Sequence, residues 1–512
     1  MDAGEVTVQV PECPDGLDQI EARIRQTVDE LIRFVRRDSD ALRLMDFERS
    51  LWSRVAVLFR LGVALFLAVR HQRLDLSGYE ADGWRVKKEF ATRTIKTLCG
   101  AVTYGRAYLR RHGDGWFPLD AMLGITADGF SWRVMDLVTR LATRVSYAAT
   151  QGIMRTMIGW SPSTEAIESL VIGLGQRAPA FMATQQSFDD DGEVLVIEVD
   201  GKAAPMATEA ELKARRRKRK HDQKCGCGCQ RHRGRSRRKG KKKKRKKRGH
   251  NSKNGRSATL VAMYTLRRGE DGKLHGPINK KIWGRFGKRK DAIAWARNQA
   301  TRRGFGPETD KLVQIVIDGE RCLRTELKNQ FPHAIMTLDL RHAQERLWKA
   351  GRLFHEECSP ELEQWVERLN RLLLGGRVEL LVKRLKKILG SVPRRGPNTK
   401  NKRETLTEQI KYFDERTEIM RYDEYHREDL VLATGVIEGA CRYVVGERLD
   451  CSGMRWKLEG AEPLLQLRCI ELNGDWDQFI AWAADQTTAE LKSGKLIKIR
   501  HQKPETSQNR AA

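Results

Sequence analysis

The sequence predicts an α/β domain with a mainly helical region before it and a helical insertion inside it. Three observations support that class. Residues 193–202 (EVLVIEVDGK), 312–317 and 334–338 are apolar runs of strand length, closed by the acids Asp200, Asp318 and Asp339. Residues 16–75 and 131–178 instead repeat apolar side chains every three or four positions, the period of a helix. A further helical stretch from residue 343 separates the third run from a late helix at 430–445. The expected divisions are 1–120, mainly helical; 121–185, helical; 186–345, the first part of the core, interrupted by a disordered basic insert at 208–257; 346–428, the helical insertion; 429–490, the late helix and the rest of the core; and 491–512, a disordered tail.

The 512 residues suffice for two to four domains, and 32% of them are charged, with a formal net charge of +29. So large an excess predicts a polyanionic partner, and nucleic acid is the default. A basic membrane-surface binder is the rival, and it would want an amphipathic basic helix with a lipid-facing side. The first residues, MDAGEVTVQVPECPDG, hold no apolar core of signal-peptide type. The most apolar segment, Val55 to Val69, contains Arg60, which predicts a buried helix over a transmembrane span. Ten cysteines, mostly scattered singly, suit a reducing cytosol better than a disulfide scaffold. The expectation is a soluble cytoplasmic protein.

In chain order, Leu17, Ile20, Ile24, Val28, Leu31, Ile32 and Val35 mark the first helical face. Residues 102–113 (VTYGRAYLRRHG) alternate and read as a small hairpin or strand pair. The turn Gly159–Trp160–Ser161–Pro162–Ser163–Thr164 predicts a helix start, with Ser161 or Ser163 as its cap. Helix, polar turn, helix is the outline of a helix-turn-helix reader and equally of an ordinary helical hairpin.

In the EVLVIEVDGK run, Leu195, Ile197 and Val199 share one face, and Val194, Val196, Glu198 and Asp200 the other. Apolar residues on both faces predict a central buried strand. The composition then breaks. Residues 211–256 hold 24 Lys/Arg against two acids, Glu211 and Asp222, a block too self-repelling to fold alone. Strand character resumes at Ala258 to Leu266. The run 312–317 repeats the first design, with Asp318–Gly319 at its end, and Asp339 is followed three residues on by His342. Residues 393–404 read as a loop. In the helix at 430–445, Ile437, Ala440, Cys441 and Val444 form the apolar stripe and Glu438 sits at its edge.

Asp200, Asp318 and Glu438 are three carboxylates that could converge, the hard oxygen ligands that magnesium or manganese prefers. Two such ions can activate a nucleophile and stabilise the leaving oxygen of a phosphoryl displacement. The plainer reading is that Asp-Gly pairs close strands as turns, and that Glu438 pairs with Arg442 four residues on. Inside the basic block, Cys225, Cys227, Cys229 and His232 supply a zinc-type donor set, though the C-x-C spacing is tight and no apolar residues surround it. A strip without aromatics grips backbone instead of reading bases, and a nuclear-localisation-like address is its look-alike. Trp348 and Trp456, each beside basic residues, read as base-stacking candidates or, more simply, as core.

The order IEVDGK, VIDGE…FPHAIMTLDLRHAQERLW and TGVIEGACR…R…CSGMRW resembles bacterial insertion-sequence transposases of the Kra type, in the mutator-like DDE group. The upstream GAVTYGRAYLRRHG…FPLDAMLGI segment resembles theirs too, so the likeness spans roughly residues 95–470. It implies an RNase H-like mixed sheet with flanking helices and a catalytic triad at Asp200, Asp318 and Glu438 that holds magnesium or manganese. It also implies a supporting pair at Asp339 and His342, and DNA partners: the terminal inverted repeats and a target. A homo-oligomer on DNA in a bacterial, nucleoid-associated setting follows from the same likeness. The long basic insert directly after the first acid departs from the family's common pattern. A catalytically inactive DNA-binding protein derived from a transposase is the alternative. A tyrosine recombinase is disfavoured, because no Arg…His-x-x-Arg…Tyr set is found.

Overall fold

A computed structural model describes residues 8–9, 16–184, 188, 190–211, 213, 255–451 and 454–493. It is of mixed α/β class and divides into two units, residues 1–177 with 475–512, and residues 178–474. The helix Trp476–Lys492 therefore groups with the N-terminal unit and not with the core segment 429–490 suggested by the sequence. Trp476 Nε1 donates to Asp136 at 2.8 Å, and Arg177 pairs with Glu490 at 2.6 Å.

In the first unit, α1 (Gly16–Arg33) leads through a π-helical turn at Phe34–Asp38 into α2 (Leu44–Gln72), and the two pack together. Strands β1 (Val8–Gln9), β3 (Arg93–Thr97) and β4 (Gly100–Tyr104) form one sheet in the order β1-β4-β3. A second, antiparallel sheet joins β2 (Arg85–Lys88), β5 (Tyr108–Arg111) and β6 (Asp114–Trp116). The strand pair expected near residue 102 is thus two hairpins, and residues 1–120 are less helical than expected. Buried Asp120 ties them together: it accepts from Tyr104 Oη at 2.6 Å and pairs with Arg93 at 2.6 Å and with Arg106. Three helices follow, Trp132–Arg144, Tyr147–Ile158 and Thr164–Gly175, each N-capped by a serine: Ser131, Ser146 and Ser163. Gly159, at φ 82°, ends the second of them. The helix after that turn carries Glu165 and Glu168 and no Lys or Arg.

The buried helix expected at Val55 to Val69 is buried on one face only. α2 packs Arg60, Leu61, Ala64 and Leu67 inward. By length and composition it is long and apolar enough to cross a membrane, with 22% of its most apolar window buried.

The second unit is built on a five-stranded sheet of order β11-β10-β7-β8-β9, with β7 at Val194–Pro205, β8 at Gly255–Arg268, β9 at Leu274–Arg285, β10 at Leu312–Ile317 and β11 at Ile335–Leu338. β7, β10 and β11 are parallel; β8 and β9 are antiparallel. Alternation sorts the side chains as the sequence predicts. Leu195, Ile197, Val199, Ile315 and Ile317 pack under the helices Arg289–Arg302 and Arg321–Gln330. Val194, Val196 and Val316 face the helix Leu340–Gly351 and the insertion helices Pro360–Leu374, Val378–Ser391 and Thr399–Asp414. Each fully buried Val, Leu or Ile stabilises such a sheet by about 1.5–3 kcal/mol.

Three boundaries differ from expectation. The loop expected over residues 393–404 gives way to helix at Thr399. β7 does not stop at Asp200–Gly201: it pairs with β8 as far as Pro205↔Gly255. The late helix starts at Gly435, not at Leu430, and turns π-helical over Cys441–Gly446. Residues 430–434 are drawn off by distant partners, with Val431 N donating to Gln314 Oε1 at 3.0 Å and Leu340 N to Leu432 O at 2.9 Å. Residues 214–254, with Cys225, Cys227, Cys229 and His232, lie outside the described residues, as does the tail from 494.

Candidate active site

Parallel pairing in register sets Ile197 opposite Ile315 and Val199 opposite Ile317. The next residues are Asp200 and Asp318, so two acids stand side by side on neighbouring strand paths, with a strand spacing of about 4.8 Å. Both are half-buried. The turn reading holds for only one of them. Asp318 Oδ1 accepts from Glu320 N at 3.0 Å, and Gly319 takes φ 82°, where an added Cβ would meet Leu338 Cδ1 at 2.5 Å. Asp200, by contrast, lies inside a continuing strand, opposite Leu260, with its Oδ1 accepting from Gly201 N at 2.6 Å.

Glu438 sits on the short helix Gly435–Ala440, exposed, and its partner is Arg341 at 3.3 Å; Arg442 turns instead to Glu447 at 4.0 Å. With both side chains about two-thirds exposed, the Arg341 pair holds Glu438 only weakly. Cys441, one turn further on, donates its thiol to Asp200 Oδ2 at 3.4 Å. Burial, then the charge of Asp200, pushes that thiol well up, so it stays protonated. Glu438 stands three residues before Cys441, and residues three apart on a helix have Cβ atoms about 5–6 Å apart.

Two buried carboxylates fix that helix. Glu198, 0% exposed and two residues before Asp200, accepts from Tyr264 Oη at 2.7 Å and from Ile437 N at 2.7 Å. Burial raises its pKa against the lowering effect of those two bonds. Asp339, 1% exposed, caps the helix Leu340–Gly351 through Arg341 N at 2.7 Å. Its other oxygen accepts from Thr434 N at 3.1 Å and from the Thr434 hydroxyl, at the entry to the Glu438 helix. Burial alone would raise the Asp339 pKa, but the bonds from His342 and Thr434 overcome it and carry the group down to about 2. His342 Nδ1 lies 3.3 Å from Asp339 Oδ2, and that bond raises the imidazole pKa against burial. The exposed His342 and the buried Asp339 form a pair, and the acid faces the protein interior.

Cations gather at the Asp318 end. Tyr412 Oη donates to Asp318 O at 3.2 Å, and its ring lies between the guanidiniums of Arg346 at 4.5 Å and Arg416 at 4.4 Å. Burial pushes the Tyr412 hydroxyl up to about 12 despite those charges. Trp348 packs against the helical core, as the plainer reading has it, while half-buried Trp456 donates to Leu449 O at 2.9 Å with the Arg448 guanidinium over its ring.

Among the described residues, no group of three His, Cys, Asp or Glu side chains stands close enough to hold a metal ion. The donor chemistry suits a hard divalent ion, but the carboxylates as placed are turned to Gly201, Glu320 and Arg341. Asp200 and Asp318 are half-buried and Glu438 is exposed, unlike the buried Glu198 and Asp339. Sequence reasoning left Glu198, Thr434 and Arg341 without a role and placed Cys441 only in the apolar stripe of its helix. Only Glu198 carried a signal, as a charge on a strand otherwise apolar on both faces. Compared with protein-family models and with curated proteins, the chain matches none.

Proposed function

We propose that the chain is a DDE-type transposase with an RNase H-like core, which binds the ends of its own insertion sequence and catalyses metal-dependent strand cleavage and strand transfer on DNA. The observation that carries this reading is one place on the sheet: Asp200 within β7 and Asp318 just past the end of β10 stand side by side on adjacent parallel strands, and Cys441, three residues after Glu438, contacts Asp200. Asp200, Asp318 and Glu438 would hold magnesium or manganese, and the bound ions would supply charge stabilisation for in-line phosphoryl displacement. Glu198 and Asp339 position the helix that carries Glu438. Arg341, Arg346 and Arg416 offer cations to phosphates near the acids, and the basic block grips the backbone over a longer reach. The DNA partners are the terminal inverted repeats and a target, and the working form is a homo-oligomer. Zinc on Cys225, Cys227, Cys229 and His232 remains part of the proposal.

Magnesium-dependent nicking of element-end DNA tests the reading. Asp200→Ala, Asp318→Ala and Glu438→Ala should each abolish cleavage and spare DNA binding. Unchanged cleavage in any one removes that residue from the site. Tight DNA binding by the wild type with no product in Mg²⁺ or Mn²⁺ would favour the inactive DNA-binding alternative.

A further inference from the structure

α2 presents an apolar stripe that the described residues of its own unit leave bare. Met45, Trp52, Phe59 and Phe66 are 55%, 49%, 44% and 52% exposed, and they stand seven residues apart. Val55, 38% exposed, and the exposed Gly62 occupy the positions between them, so the outward face repeats at a mean of about 3.5 residues. Leu61, Ala64 and Leu67 on the inward face are buried. A surface helix of a globular protein normally shows polar residues on its outer side. An apolar repeat of about 3.5 is instead the seam along which one helix packs against another.

The seam carries a two-fold of its own. Reversing the chain direction about Phe59 lays Trp52 over Phe66 and the exposed Glu48 over the exposed Arg70. A Cβ built on Gly62 meets nothing within 4 Å, so the position is open, and with no side chain there a facing aromatic ring can approach the backbone beside Phe59. A parallel pairing would set Glu48 on Glu48 and Arg70 on Arg70, two like-charge clashes. Self-complementarity of this kind is what an isologous two-fold interface requires.

We infer that α2 is a homodimer seam, on which a second copy of this chain packs antiparallel with Phe59 at the centre. The inference does not rest on the catalytic reading. A helix lying in a membrane would also want a long apolar surface, but it gives no reason for the charge-reversed ends or for a bare glycine beside the two-fold.

Light scattering and sedimentation of the full chain, nuclease-treated and in high salt, test it. The wild type is expected to be a dimer. Phe59→Asp and Gly62→Leu are each expected to give monomers with an unchanged circular dichroism spectrum. Glu48→Arg and Arg70→Glu should each raise the dimer dissociation constant by about 2–5-fold per bridge lost, and the double exchange should restore it. Should Phe59→Asp misfold, the charge-exchange set still decides the matter. A monomeric wild type, a dimer indifferent to Phe59→Asp and Gly62→Leu, or single charge reversals that tighten the dimer would overturn the inference. Phe59-dependent flotation of a monomer with phosphatidylglycerol vesicles would overturn it too, and would assign the stripe to a lipid surface.

Discussion

Replacing Glu198 tests whether a buried carboxylate holds the third acid in place. The side chain is fully buried and satisfies two donors, Tyr264 Oη and Ile437 N, both at 2.7 Å. Glu198→Ala removes both acceptors at once. Each buried donor left unpaired costs about 1–3 kcal/mol, so the pair costs about 2–6 kcal/mol before any cavity is counted. Glu198→Gln keeps the shape and one acceptor, and the Tyr264 hydroxyl can rotate to accept from the new amide, which limits the cost to about 1 kcal/mol. Hydrogen exchange followed by mass spectrometry on peptides spanning residues 434–445 reads the effect where it should fall. At about 1.4 kcal/mol per tenfold, a local loss of about 3 kcal/mol lowers protection at Ile437 by about 100-fold in Glu198→Ala, and much less in Glu198→Gln. If positioning is the role, Glu198→Gln also raises the magnesium concentration needed for half-maximal cleavage, which a purely structural defect would not do. Unchanged exchange over 434–445 in the alanine variant would refute the tether.

Gly319→Ala places a Cβ at φ 82° and 2.5 Å from Leu338 Cδ1, and should lower stability by about 1–3 kcal/mol and displace Asp318; an unshifted melting curve would contradict this. Asp339 sits below its ordinary 3.8, at about 2, so its contribution is present above about pH 4 and is lost as pH falls through about 2. Thr434→Val removes one of the bonds that lower it, so acid unfolding followed by fluorescence should move to higher pH; a fixed midpoint would rule that out. The His342 value is raised, so its contribution is full below pH 6.5 and fades as pH climbs through that raised value. His342→Ala should flatten that limb in a stability–pH profile. Deleting residues 214–254 takes away 22 Lys/Arg and one acid, and should weaken DNA binding and flatten the dependence of log affinity on log salt; equal slopes would mean the block touches no phosphate.

Much of the second unit was legible because a strand has a period of two. The alternation in residues 194–199 and 312–317 assigned each side chain to its face, and the same alternation set Asp200 and Asp318 on one side. What escaped the sequence depends on partners far along the chain. Glu198 meets residues 66 and 239 positions away, and nothing local marks Tyr264 or Ile437 as its donors. The start of the Glu438 helix is set by Asp339 gripping Thr434, 95 positions away, so periodicity alone ran the helix five residues too early. For α2 the difficulty was different. It is apolar on nearly every side, and a hydrophobic pattern without a polar face cannot say which side is covered.

The β7–β8 ladder closes at Pro205↔Gly255, five residues and roughly 17 Å of strand beyond Asp200. The chain leaves that ladder at Pro205 and rejoins it at Gly255, and just past Pro205 it is held again, with Met206 bridged to Trp456 and Ala207 N donating to Trp456 O at 2.9 Å. The entropy of closing a loop grows only with the logarithm of its length, by about 0.6 kcal/mol for each doubling. A change in the length of chain joining Pro205 to Gly255 therefore costs little in closure entropy, and the Asp200↔Leu260 register rests on the ladder instead. The register that fixes Asp200 is thus written into the paired residues of β7 and β8 themselves, from Val194↔Leu266 to Pro205↔Gly255.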